Sequence, residues 1–339
     1  MTRIQDEPKS GPIEEIVHAV RMHERFAVFS HEEPDGDAIG SQIALALALR
    51  RLGKQVVALR LEPVPPALEF LNIDSVVEAY RPDFHRDRIE RAQVVMVVDS
   101  SSYRRLGILA SEATRSRAIT INIDHHRDNK FFADINLVRS QAGGAAELVF
   151  EVIRAIGAPV ENAIAEAVYV GICTDTLGFR YVDPEGNLLS VISELVKAGI
   201  DIEDLQERIY YMRPDSYLDD IAGLLGSVRY ENGGSLAWFA FPTGSHLTYY
   251  QRELGMEALQ QLLSVKRIRA AFMLHGMNNG IEVWFRSKTD VDVGQAAERL
   301  GGGGHKTASG VLLKGMDLDR AVHEVLSQIK TVMGGERVS

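Results

Sequence analysis

The chain contains one cysteine, two tryptophans, fewer basic than acidic residues and no long apolar run. Each shortage excludes something. A single cysteine, Cys173, rules out an internal disulfide, and its place after Val168-Tyr169-Val170-Gly171-Ile172 marks a buried thiol rather than a nucleophile. The net charge of −10, from 37 Lys and Arg against 47 Asp and Glu, argues against binding to long duplex nucleic acid, which needs a basic face to displace counterions. Small anions remain compatible, because acidic side chains that hold divalent cations make the occupied site electropositive. No apolar stretch approaches the ~20 residues of a membrane span, and the first twelve residues lack the apolar core of a signal peptide. The expectation is a cytoplasmic protein with no membrane partner. At 339 residues, 45% hydrophobic and 25% charged, the chain is globular and long enough for two cores.

From Phe26 to Asp175 short β-branched runs alternate with amphipathic stretches. The runs at 26–30, 55–59, 94–98 and 118–123, separated by helical periodicity, predict an α/β fold with a doubly wound parallel sheet. Helices are expected over 39–52, 144–156 and 162–173. Residues 186–226 read as a helical connector, with helices at 188–198 and 202–211. A smaller α/β domain follows, with strands at 236–240, 268–274 and 281–286 and helices at 249–263, 293–300 and 318–332. The domain expectation is therefore 13–185, 186–226 and 227–335. There is no internal repeat or low-complexity tract.

Three strand runs end in acidic or imidazole residues: Ser30-His31, Val98-Asp99 and Ile123-Asp124-His125-His126. Parallel strands present their carboxyl ends on one edge, where open α/β sheets keep their sites. The loop His31-Glu32-Glu33-Pro34-Asp35-Gly36-Asp37 adds an imidazole and two carboxylates on a turn before a helix, and Asp175 follows another helix. Together His31, Asp35, Asp37, Asp99, His125 and Asp175 supply four carboxylates and two imidazoles. That donor set suits Mn²⁺, or Mg²⁺ as the alternative, better than zinc. Two such ions about 3.5–4 Å apart can hold a bridging hydroxide as nucleophile and neutralise phosphoryl oxygens, which is phosphoester hydrolysis. Taken singly, each piece has a plainer reading: a solvated turn, a cap at Asp99 or Asp175, surface histidines. The joint placement at one sheet edge argues for a centre.

In the second half, Gly301-Gly302-Gly303-Gly304-His305 lets backbone amides approach an anion, and Phe285-Arg286-Ser287-Lys288 brings a guanidinium suited to bidentate phosphate binding. Arg286, Ser287, Gly303, Gly304 and His305 are the expected substrate clamp. Weaker candidates are the basic rim Lys266-Arg267-Ile268-Arg269, Gly143-Gly144 ahead of a helix N-terminus, and Arg104 and Arg105 after Asp99. Trp238 and Trp284 read as core residues rather than base platforms.

Asp124-His125-His126, the His31…Asp35-Gly36-Asp37 loop, Val97-Val98-Asp99-Ser100 and Thr174-Asp175-Thr176 resemble the four signature motifs of the DHH phosphoesterase family. Phe285-Arg286-Ser287 and the stretch from Gly301 to Gly310 resemble its associated substrate-binding domain. Size and arrangement are similar to the bacterial oligoribonucleases that also act on 3′-phosphoadenosine 5′-phosphate. The resemblance implies that His31 and Asp35 hold one Mn²⁺, that Asp37, His125 and Asp175 hold a second, and that Asp99 bridges them. It further implies that His126 faces the scissile phosphate and that Asp124 orients the histidine pair. The chain departs from the family pattern at Glu33, where asparagine is commoner, and at Thr176-Leu177-Gly178, which replaces a frequent Thr-Gly run. The implied function is hydrolysis of very short RNA to nucleoside 5′-monophosphates, or removal of phosphate from 3′-phosphoadenosine 5′-phosphate. The alternatives are a phosphodiesterase of cyclic or linear dinucleotides and, in another class, a non-catalytic nucleotide-binding regulator. Pairing into a homodimer is left open.

Overall fold

The computed structural model describes residues 11–180, 182–183, 186–241 and 247–334. The chain divides into two compact units between Met212 and Arg213. In the first, strands β1 (Arg25–Phe29), β2 (Gln55–Arg60), β3 (Glu78–Ala79), β4 (Val94–Val98), β5 (Ile119–Asp124) and β6 (Ile135–Val138) form one sheet in the order β3-β2-β1-β4-β5-β6. Every pairing is parallel. Successive side chains of a strand point to opposite faces, so the apolar runs bury both. Phe26 and Val28 join Val94, Met96 and Val98 beneath one layer of helices, whereas Ala27, Phe29, Val95 and Val97 meet the other.

The first layer holds α1 (Pro12–Met22), α2 (Gly36–Arg51), α5 (Ala145–Ala155) and α6 (Asn162–Asp175). The second holds α3 (Pro82–Glu90) and α4 (Ile108–Arg115), through Ile89, Leu109 and Ala113. Helices α2 and α6 cross so closely that a Cβ on Gly40 would lie 2.3 Å from the Ala167 carbonyl oxygen. This contact brings the N-terminus of α2, with Asp37, against the C-terminus of α6, with Asp175.

The stretch expected to connect two domains is shared out between the units. Helices α7 (Leu188–Lys197) and α8 (Ile202–Tyr210) put Leu188, Val191, Leu195, Leu205 and Ile209 into the first core, while α9 (Tyr217–Gly226) packs Ile221, Leu224 and Leu225 on the second. Cys173 is buried in α6 beside Gln206 and Tyr210, and burial pushes its thiol pKa up, as expected of an inert sulfur.

The second unit is a mixed sheet in the order β11-β12-β10-β9-β8-β7. Its strands are β7 (Arg229–Glu231), β8 (Leu236–Ala240), β9 (Ala270–Met277), β10 (Gly280–Ser287), β11 (Gly303–Gly304) and β12 (Ala308–Lys314), with only β8 and β9 parallel among the pairings described. Helix α10 (Tyr249–Ser264) covers one face, and α11 (Val293–Arg299) and α12 (Leu318–Gly334) cover the other. Trp238 is buried and stacked on Phe272, and half-buried Trp284 stacks on His275.

Candidate metal centre

Sequence-distant donors meet because β1, β4 and β5 are adjacent and end together. His31 follows β1, Asp99 follows β4, and Asp124 closes β5 ahead of His125 and His126. The chain turns sharply after β4, with Asp99 at φ 52°, and its N–H donates to the Ile123 carbonyl at 2.9 Å. A non-glycine residue in the left-handed region is uncommon, and such strain clusters at functional sites.

Asp99 lies between two groups of donors. Its Oδ2 is 3.5 Å from His31 Nε2, which is 3.9 Å from Asp35 Oδ1; its Oδ1 is 3.6 Å from His125 Nε2. His125 in turn is 3.8 Å from Asp37 Oδ2 through Nε2 and 3.8 Å from Asp175 Oδ2 through Nδ1. The sets His31–Asp35–Asp99 and Asp37–His125–Asp175 each converge within 4.8 Å. Donors around one cation with bonds of about 2.0–2.6 Å stand at such separations.

Two carboxylates are anchored before any cation is considered. Asp35 caps α2, its Oδ1 accepting from the backbone N–H groups of Asp37 and Ala38 at 3.1 and 3.0 Å. Asp37 is fully buried and accepts from Ala145 N at 2.6 Å and Ala146 N at 2.9 Å, so the N-terminus of α5 points at it. The anion position suspected at Gly143-Gly144 is therefore filled by a carboxylate of the chain itself. Gly144, at φ 137°, has to be glycine: a Cβ there would lie 2.9 Å from Asp37 Oδ2.

The electrostatics are those of a site built around positive charge. Burial and the neighbouring Asp99 carboxylate push the Asp37 pKa well up. Burial would lower that of His125, yet the carboxylates of Asp175, Asp37 and Asp99 lift it to about 9. Burial would raise Asp99 too, but the His31 imidazole and the His126 and His125 charges hold it well below the carboxylate range. Asp99 Oδ1 is buried without a hydrogen-bond partner. An orphaned carboxylate oxygen aimed into donor groups that, among the described residues, are all carboxylates and imidazoles fits a hard divalent cation.

Behind this shell runs a network the motifs do not advertise. Asp124 Oδ1 is 2.7 Å from His126 Nδ1, and its Oδ2 accepts from Asn129 Nδ2 at 2.5 Å. Asn129 also donates to Asn122 Oδ1 at 2.8 Å, and Asn122 donates to the carbonyls of Val97 and Ser100 at 3.3 and 3.1 Å. Arg105 Nη1 lies 3.1 Å from His126 Nε2. A guanidinium can only donate, so Nε2 accepts and the ring proton sits on Nδ1 toward Asp124. Asn122 interrupts the apolar run Ile121-Asn122-Ile123, a signal that could have marked it; Asn129 has no local signature.

In the second unit the expected clamp is rearranged. Strand β10 alternates, so Ser287 shares the core face with Val283 and Phe285 while Arg286 takes the opposite face. The buried Ser287 hydroxyl donates to the Val291 carbonyl at 2.7 Å, on the face of β10 opposite Arg286. Lys288 Nζ donates to the carbonyls of Val265 and Lys266 at 2.9 and 3.1 Å, which closes a turn. Arg286 Nη1 donates to the Phe285 carbonyl at 2.9 Å. Gly303 and Gly304 form β11 against Gly310 and Ser309, where a Cβ on Gly304 would lie 2.6 Å from Ser309 Cα. The His305 N–H donates to the Ala308 carbonyl at 2.6 Å. In the basic rim Arg269 pairs with Asp290, and Arg267 lies over the Tyr230 ring.

A doubly wound parallel sheet whose carboxyl-end rim gathers carboxylates and imidazoles, followed by a mixed-sheet unit, has the architecture of a two-domain α/β phosphoesterase with a metal-type donor set. Comparison with known proteins gives the family. Residues 25–172 match the DHH family, N-terminal domain, and residues 250–331 match the DHHA1 domain. The chain is 30% identical over 306 residues, 89% of its length and 88% of the relative's, to the bifunctional oligoribonuclease and PAP phosphatase NrnA of Thermus thermophilus. It is 22% identical to the cyclic-di-AMP phosphodiesterase PdeA of Listeria monocytogenes, covering 99% of this chain and 51% of that one. The crystal structure of an exopolyphosphatase-related protein from Bacteroides fragilis has the same fold, with a TM-score of 0.83, 24% identity and 98% of both chains covered. The chain belongs to the DHH family of phosphoesterases. No helix among the described residues is long and apolar enough to cross a membrane.

Proposed function

We propose that this protein is a Mn²⁺-dependent phosphoesterase that hydrolyses very short RNA oligonucleotides to nucleoside 5′-monophosphates and removes phosphate from 3′-phosphoadenosine 5′-phosphate. The observation that carries the reading is Asp99: buried, left-handed, with one carboxylate oxygen toward His31 and the other, unpartnered, toward His125. In this reading His31, Asp35 and Asp99 hold one ion, and Asp37, His125, Asp175 and Asp99 the other. When bound, the ions supply a nucleophilic water of lowered pKa and positive charge against the phosphoryl oxygens.

The rest is work for the chain. The N–H groups of α5 hold the Asp37 carboxylate in place, and those at the start of α2 hold that of Asp35. Asp124 and Arg105 fix the tautomer of His126, whose ring faces the scissile phosphate. Arg286, Gly303, Gly304 and His305 are the residues assigned to bind the substrate's phosphate, and the Ser287 hydroxyl ties the end of β10 to the Val291 carbonyl. The substrate assignment draws on the Thermus thermophilus relative. Its test is incubation of purified protein with Mn²⁺, labelled RNAs of two to five nucleotides and 3′-phosphoadenosine 5′-phosphate. Mononucleotide release and free phosphate are expected, and neither appearing with ample metal would refute the reading. Similarity to a cyclic-di-AMP phosphodiesterase over nearly the whole chain favours a second reading, turnover of cyclic or linear dinucleotides. Running those substrates in the same assay ranks the two.

A further inference from the structure

The segment that follows His126 holds two adjacent phenylalanines with opposite fates. Phe132 is half-buried, its ring 4.5 Å from that of Tyr103. Phe131 is 64% exposed, and its backbone is left-handed at φ 50°. A bulky side chain rarely adopts that conformation, and burial of the ring does not compensate for it here. Two other exposed aromatics are covered, the Arg81 guanidinium lying over Phe84 and Arg267 over Tyr230, while exposed Tyr211 lacks the left-handed backbone of Phe131. Among the described residues no ring or guanidinium lies against Phe131.

The loop that presents this ring is rigidly tied to the catalytic side of the sheet. The Phe131 N–H donates to Asn129 Oδ1 at 2.6 Å, the preceding Lys130 N–H donates to the Ser101 carbonyl at 2.9 Å, and Asn129 donates to Asp124. One asparagine amide therefore separates the Phe131 backbone from the carboxylate that orients His126. A strained, exposed aromatic whose backbone is tied through one asparagine to the carboxylate that orients His126 has the chemistry of a base-stacking surface, since every base offers a π-face.

We propose that Phe131 is the platform on which the nucleobase beside the scissile phosphate stacks. The proposal rests on the nucleotide-hydrolase reading above and adds a subsite to it. It predicts that the ring contributes to substrate binding and not to folding. With the full-length Mn²⁺-loaded protein, Phe131→Leu raises KM for a linear diadenylate roughly 10-fold, leaves kcat little changed, and leaves KM for an abasic dinucleotide analogue unaltered. Phe131→Trp restores the diadenylate KM. Phe131→Gly shares the KM defect but melts at or above the wild-type temperature, because glycine accepts the left-handed backbone.

Equal KM changes for both substrates, or a leucine variant indistinguishable from wild type, would overturn the platform. So would a glycine variant that melts lower. Fluorescence of the tryptophan introduced by Phe131→Trp separates this failure from that of the hydrolase reading. Quenching by 3′-phosphoadenosine 5′-phosphate supports stacking even if nothing is turned over, while an absence of quenching counts against it.

Discussion

Asp99 and Asn129 show how much of this site depends on single atoms. A shared carboxylate facing His31 and His125 leaves both donor sets short when it is neutralised. Asp99→Asn is expected to lower kcat by roughly 10²–10³-fold or more and to abolish the rise in melting temperature that Mn²⁺ gives the wild type, read by calorimetry with and without metal. Asn129 touches none of the proposed ligands, yet it holds Asp124 against His126. Asn129→Ala should cost about 10–100-fold in activity or metal affinity, measured as kcat and as the Mn²⁺ concentration for half-maximal rate. The contrast explains what was legible in the sequence. His31, Asp99 and the Asp124-His125-His126 run stand at the ends of apolar runs, so strand order alone gathers them. Asn129 and Arg105 matter through contacts that only the folded loops create. The facing of Ser287 away from Arg286 was hidden for a related reason, because adjacent residues in a strand face opposite ways.

At the level of elements, the central strands and the helices α2, α5 and α6 were readable because β-branched runs and helical periodicity are strong local signals. Edge elements were not. Strands β3 and β11 have two residues each and β6 has four, too short for a pattern, and β12 carries Ser309 and Gly310 directly after the glycine-histidine stretch, where no alternation stands out. Helix termini carry the consequences for the site. Gly144→Ala forces an unfavourable left-handed φ and drives a Cβ into Asp37, with a stability cost of about 1–3 kcal/mol. Chemical denaturation should show that loss, together with a weakened Mn²⁺ response, because the N–H groups of α5 can no longer seat the carboxylate. At the junction of β3 and α3, burial raises the Glu78 pKa, but bonds from His85 and Arg88 outweigh it and bring the carboxyl below its ordinary 4.5. A depressed folded-state value means stability that is present above pH 4.5 and lost as pH falls below it. The pair is partly solvated, so Glu78→Gln should remove less than about 1 kcal/mol at neutral pH, and the difference from wild type should vanish in acid unfolding curves.

The whole molecule consists of two units with separate apolar cores, one around the parallel sheet and one around the mixed sheet. Residues 186–226 belong partly to each, since amphipathic helices bury their apolar faces on whichever core adjoins them. All the donors in the two sets sharing Asp99 come from the first unit. Metal bound there stabilises only the native state of that unit, by an amount that grows with the logarithm of metal concentration. Calorimetry of the full chain is therefore expected to resolve two transitions. Mn²⁺ should raise one and leave the other in place, and Asp99→Asn should return the raised transition to its metal-free position. A single transition moving as a whole would mean that the two cores unfold as one cooperative body.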